Sequence, residues 1–160
     1  GRERGRWEQQ AAHIARGEFE VRFVGWLSPA ERSALFAAAH LLVVPSIWPE
    51  PLGLVGLEAG AAGLPAIAFD VGGIREWLID GVTGRLARLT SDGSASLARA
   101  LTECLESPST LTEWGSAARA HSRRRTVATH VEALESLLAR AICQPGHAVE
   151  AQPIAAHGHA

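Results

Sequence analysis

At 160 residues the chain has the length of one globular domain, and 47% hydrophobic against 20% charged residues excludes a disordered, collagenous or coiled-coil chain. A formal net charge of −2, from 15 basic and 17 acidic side chains, excludes a global positive field that would recruit nucleic acid or an anionic membrane. No apolar run approaches the roughly 18 residues of a membrane span, and there is no signal-peptide pattern, so a soluble or peripheral protein is expected.

Residues 4–16 place Trp7, Ala11, Ala12 and Ile14 among charged residues, a short amphipathic helix ended by Gly17. Residues 21–24 alternate like a strand and stop at Gly25. Ser28, Pro29 and Glu31 supply an N-cap, a proline at the first helical position and the acid of a capping box, which predicts a helix through about Ala38. Residues 41–44 are a continuous apolar run closed by Pro45, the mark of a strand buried on both faces and hence of a parallel sheet. A loop over 46–53 leads to a helix over 54–62, stopped by Gly63, and then to a buried strand over 65–69. Residues 70–73 read as a tight loop, 74–79 as a short helix and 83–87 as a last short strand. Three helices follow near 91–106, 110–123 and 127–142, the last with Leu134, Leu137, Leu138 and Ile142 at helical spacing. From Gln144 onward periodicity is lost, so 1–143 is read as the domain and 144–160 as a disordered tail. Strands alternating with helices predict an α/β fold, a Rossmann-like open parallel sheet with C-terminal helices.

Cys104 and Cys143 are too few and too far apart for a disulfide framework or a zinc knuckle, and read as small semi-buried helix residues in a reducing, cytoplasmic setting. The chain contains no Lys, Asn, Tyr or Met, and a start at Gly1 without an initiator reads as a cut from something longer.

The stretch from Glu50 to Glu58 lies between a buried strand and a helix, where ligands bind in open α/β sheets. Free amides at the start of that helix can hold a phosphate without a metal, because orphan N–H groups and the helix dipole both favour an anion. Gly53 and Gly56 let a ligand or a neighbouring segment approach the backbone. Glu50 ahead of the helix and Glu58 about one turn inside it suit two sugar rings flanking a diphosphate, since carboxylates accept hydrogen bonds from vicinal hydroxyls.

Residues 21–87 resemble the C-terminal, donor-binding domain of group 1 (family 4) GT-B retaining glycosyltransferases. Three marks carry the resemblance in order: Glu50 and Glu58 within a pattern like EPFGLVxLEAMAxGxPVVA, then Gly72-Gly73-Ile74-Arg75-Glu76, then the segment from Asp80 to Leu86. The helices beyond Ser91 are also similar to the family's closing helices. The resemblance implies transfer of a sugar from a nucleotide diphosphate sugar with retention of configuration, a hexosyltransferase-type activity. Carried over by position, Glu50 is the catalytic-site carboxylate on the donor sugar's hydroxyls. Backbone amides around Leu52, Gly53 and Leu54 meet the diphosphate, Glu58 binds the ribose, and Gly25, Trp26 and Leu27 lie near the nucleobase. The only Asp residues are Asp70, Asp80 and Asp92, so there is no Asp-x-Asp motif, and no metal or other cofactor is expected.

In the family, two further strand-helix units and a whole acceptor-binding domain precede this region; those units carry an Arg and a Lys that neutralise the diphosphate. Against the pattern the chain lacks them, so it is expected to be a poor catalyst alone, with the acceptor domain as its partner. Smaller departures are Ala39-His40 for a usual Ala-Asp and Leu52 for a common Phe. Glu76 reads equally as a site group or a capping acid. Trp48 reads as packing rather than site, and the histidines at 40, 157 and 159 as helix-end and tail residues. Residues 123–125 read as a solvated arginine face, with peripheral contact at the inner face of a membrane as the other option. Two other functional classes stand beside the enzyme: a non-catalytic nucleotide-sugar-binding module that works with a partner, and an inactive structural fragment held together through exposed sheet edges.

Overall fold

The computed structural model describes residues 2–143, so the expected tail over 144–160 and its histidines lie outside the described residues. Helix α1 (Arg2–Ala15) presses Ala15 inward and leaves Trp7 and Ile14 exposed. Arg4 ties it locally to Glu8 and, through Nη2, to the carbonyl of Phe23 at 2.7 Å. The chain reverses at Arg16 and Gly17, both with positive φ. Residues 21–24, expected as a strand, are not one. Among the described residues they have no strand to pair with, and an extended segment becomes a strand only through a partner's hydrogen bonds.

Helix α2 (Pro29–Ala38) starts as the sequence predicts. The Ser28 hydroxyl accepts from the Glu31 amide at 3.3 Å and the Glu31 carboxylate accepts from the Ser28 amide at 2.8 Å. Strand β1 (Leu42–Val44), helix α3 (Leu54–Ala62), strand β2 (Ala66–Phe69) and strand β3 (Gly84–Ala87) then form a parallel sheet in the order β1-β2-β3. Leu42 lies beside Ala66 and Val44 beside Ala68; Ala66 lies beside Gly84 and Phe69 beside Ala87. The expectation that β1 is buried on both faces is corrected. Among the described residues it is an edge strand, and Val43 is 37% exposed. Full burial belongs to the central strand β2, all four of whose residues are buried.

The period of two along β2 divides the core. Ala66 and Ala68 pack with Val44, Ile74, Trp77 and Leu78. Ile67 and Phe69 pack with Ala87 and with Ala100 and Cys104 of helix α4 (Gly93–Leu105). Helix α5 (Pro108–Ser122) adds Leu111 and Trp114 to this second face and also lies along α3. Cys104 is buried and free, and burial pushes its thiol pKa up. The helix expected over 74–79 is instead a 3-10 helix over Gly72–Glu76. It starts two residues earlier than expected, and the N–H of Gly73, which has no acceptor inside the helix, donates to the carbonyl of Glu50 at 2.6 Å. Helix α6 (Val127–Cys143) closes the described chain. Among the described residues no helix is long and apolar enough to cross a membrane.

Candidate functional site

Parallel strands put the loop after β1 and the loop after β2 at the same end of the sheet, and the first is bonded to the 3-10 helix that follows the second. Glu50, Pro51 and Leu52 all turn their carbonyls toward the 3-10 helix and the residue after it. The Glu50 carbonyl accepts from Gly73. The Pro51 carbonyl lies against the α-carbon of Gly73, where a Cβ would collide with it. The Leu52 carbonyl accepts from the indole Nε1 of Trp77 at 2.6 Å. A Cβ on Gly72 would in turn strike the backbone of Glu50, so the glycine pair is a seat shaped for this loop.

The consequence is electrostatic. A trans peptide is planar, with its N–H pointing opposite to its C=O, and no peptide bond among the described residues is cis. Carbonyls of Pro51 and Leu52 turned inward therefore turn the amides of Leu52 and Gly53 outward. Gly53 is the N-cap of α3 with φ 77° and ψ 66°, a left-handed conformation that glycine adopts without strain, and it has no side chain to cap the helix. The amides of Leu54 and Val55 begin the helix and have no intrahelical acceptor. Four successive N–H groups, 52–55, thus lack an acceptor among the described residues, at the positive end of a helix dipole. A left-handed residue followed by a helical one makes a concavity that suits an anion.

The two carboxylates stand on either side of these amides in the chain. Glu50 is half-buried and its Oε1 accepts from the Ser46 hydroxyl at 3.2 Å. Glu58 is exposed on α3 toward α2, where its Oε1 accepts from Arg32 Nη2 at 2.7 Å. Pro29, Arg32, Ser33, Phe36, Glu58 and Ala61 line an open groove of about 410 Å³ between the two helices. Larger grooves of about 460 and 570 Å³ lie elsewhere, beside α1 and around Gly63 and Gly115, and contain neither carboxylate.

Glu50, Leu52 and Gly53 thus lie on one loop, Leu54 opens the helix that follows it, and Glu58 comes one turn later on that helix. Gly25, Trp26 and Leu27 stand apart. Gly25 sits near the Arg4 guanidinium and Trp26 is 98% exposed. Among the described residues no hydrogen bond joins that segment to the Glu50 loop or to Glu58; it enters the neighbourhood only as the lead-in to α2. Glu76 pairs with Arg125 at 3.1 Å, so it ties the turn after α5 to the 3-10 helix. Arg32 and Trp77 were missed by the sequence reading. The (i, i+3) spacing from Ile74 to Trp77 was the signal that could have marked Trp77 as facing inward. Among the described residues no three His, Cys, Asp or Glu side chains gather as metal ligands would.

Comparison with known proteins gives this geometry a family. The family model for glycosyl transferases group 1 matches residues 2–121. An α-maltose-1-phosphate synthase of Mycobacterium tuberculosis is 40% identical over 113 residues, 68% of this chain and 29% of that protein. A D-inositol 3-phosphate glycosyltransferase of Corynebacterium diphtheriae is 38% identical over 119 residues, 73% of this chain and 27% of that protein. The chain therefore spans less than a third of the length of these curated relatives. Among solved structures, the sucrose-phosphate synthase of Thermosynechococcus elongatus superposes with TM-score 0.73 at 31% identity, over 89% of this chain and 35% of that one. Anabaena HepE, solved in complex with UDP-glucose, superposes with TM-score 0.71 at 27% identity, over 86% of this chain and 37% of that one. The match of the family model spans the sheet and the segment from Glu50 to Leu86, the fold is that of the superposed synthase, and the chain belongs to the glycosyl transferases group 1 family.

Proposed function

We propose that this chain is the donor-binding part of a retaining glycosyltransferase of family 4 and the GT-B architecture, taking its sugar from a nucleotide diphosphate sugar. The observation that carries the reading is the row of amides over 52–55 that lack an acceptor among the described residues, flanked in the chain by Glu50 and Glu58. In the reaction, the bond between the sugar's anomeric carbon and the diphosphate oxygen breaks and a bond to the acceptor hydroxyl forms, the hydroxyl proton leaving with the departing phosphate. Negative charge grows on the diphosphate, and preorganised amides of 52–55 stabilise it without reorganising. Glu50 accepts hydrogen bonds from the donor sugar and so fixes its anomeric carbon over the loop. Glu58 accepts from the ribose hydroxyls, with the nucleobase toward Gly25, Trp26 and Leu27.

The supports are the family, the HepE relative solved with UDP-glucose, and the open groove beside Glu58. Neither a metal nor another cofactor enters this proposal. A second reading, a nucleotide-sugar-binding module acting with a partner that supplies the acceptor side, is favoured by one observation: the outer edge of β1 is unpaired among the described residues.

Calorimetric titration of the chain with UDP, GDP and ADP in the presence of a chelator tests the proposal. One nucleotide is expected to bind saturably, and Glu58→Ala to weaken it at least about ten-fold, the worth of a charge-assisted hydrogen bond. Binding untouched by Glu58→Ala, or abolished by the chelator, removes the corresponding part of the reading.

A further inference from the structure

Trp77 is buried, and its indole has one polar atom, which goes to the proposed diphosphate loop rather than to its own element. We infer that Trp77 is a positioning residue for the diphosphate: by holding the Leu52 carbonyl it fixes the peptide plane that aims the Gly53 amide at the anion. This inference rests on the proposed role of amides 52–55.

Three observations converge on it. The Nε1 donor lies 2.6 Å from the Leu52 carbonyl, twenty-five residues earlier in the chain. Carbonyl and amide of one trans peptide point in opposite directions, so anchoring the carbonyl in the core anchors the amide outward. The ring also has its place prepared on α3. A Cβ on Gly56 would collide with the indole, and one on Gly53 would come within 3.2 Å of its Nε1. Gly53 and Gly56, three positions apart on one face of the start of α3, therefore leave a slot for this ring. The slot lies under the first turn of α3, so a single side chain sets both the N-cap peptide and the height of the helix start. An untethered glycine peptide would be free to rotate its amide away from a ligand, and the ordering cost would then fall on binding.

Two replacements separate the hydrogen bond from the packing. Benzothienylalanine in place of Trp77 keeps the bicyclic shape and lacks the N–H; Trp77→Phe lacks both the N–H and part of the ring. Affinities of the 160-residue chain are measured for UDP, GDP and ADP and for the matching nucleosides, with the unfolding midpoint recorded for each variant. For the nucleotide that binds, the unmodified chain is expected to prefer diphosphate over nucleoside. The benzothienylalanine variant is expected to lose about ten-fold of that preference, the worth of one preorganised hydrogen bond, with nucleoside affinity unchanged. A preference that survives intact in this variant overturns the role of Trp77 and leaves the amide reading standing. If the unmodified chain shows no preference for the diphosphate, the amide reading fails and the role of Trp77 with it. Nucleoside and diphosphate affinities falling together would make Trp77 a packing residue only.

Discussion

Glu58 and Arg32 are twenty-six positions apart and meet at 2.7 Å, with side chains 42% and 39% exposed. At that exposure the pair contributes little to folding, because solvent screens it and two long side chains are ordered to make it. A double-mutant cycle with Arg32→Ala and Glu58→Ala, read by chemical denaturation, is expected to give a coupling of about 0.2–1 kcal/mol that shrinks as salt is raised. A coupling several times larger would make the pair a structural strut. Its smallness matters for function, since a large loss of nucleotide affinity in Glu58→Ala then reports the site and not the fold. The spacing of Glu50 and Glu58 and the following glycine pair were legible in the sequence because they are local patterns. Their mechanics were not: that Gly72 and Gly73 make a seat for the 50–52 backbone, that Gly56 makes room for Trp77, and that Arg32 meets Glu58 are contacts across loops. No periodicity or capping rule encodes a meeting between residues on different elements.

Helix α2 shows what local chemistry can specify. Its capping box was legible from Ser28, Pro29 and Glu31, and it forms as expected because each partner satisfies an amide that the first turn would otherwise orphan. Residues 21–24 show the opposite, since alternation states which faces differ but not whether a neighbouring strand exists. The same limit applies to β1, whose apolar run is that of a central strand although it lies at the edge. The cap has a pH signature. The Ser28 hydroxyl, and then the Ser28 amide, hold the Glu31 carboxyl pKa below its ordinary value. A lowered folded-state pKa contributes stability that is present above the unfolded pKa and lost as pH falls through the folded one. Ser28→Ala is expected to destabilise by about 1 kcal/mol at neutral pH. The gap between the two proteins should narrow in acid as Glu31 is protonated, read as unfolding midpoints from pH 7 down to about pH 3. A gap independent of pH would mean that the carboxylate plays no part in the cap.

At the scale of the molecule, burial among the described residues is concentrated around β2. Both faces of that strand are covered, and its residues belong to the two largest core clusters. Helix α6 is the other extreme. Every described side chain over 127–142 is exposed, including Val127, Val131, Leu134, Leu138 and Ile142 on its apolar stripe. A seventeen-residue helix whose described side chains are all exposed sits near the length at which an isolated helix is marginal in water. The Thr126 and Thr129 hydroxyls accept from each other's backbone amides and so cap its start. Amide hydrogen exchange should therefore divide the chain: β2 amides opening only with global unfolding, and α6 amides exchanging within about ten-fold of the unfolded rate at dilute concentration. Because the stripe is apolar, protection of α6 that equals that of β2 would require burial of those five side chains. Its dependence on protein concentration would then separate self-association, which dilution abolishes, from packing within one chain, which dilution leaves intact.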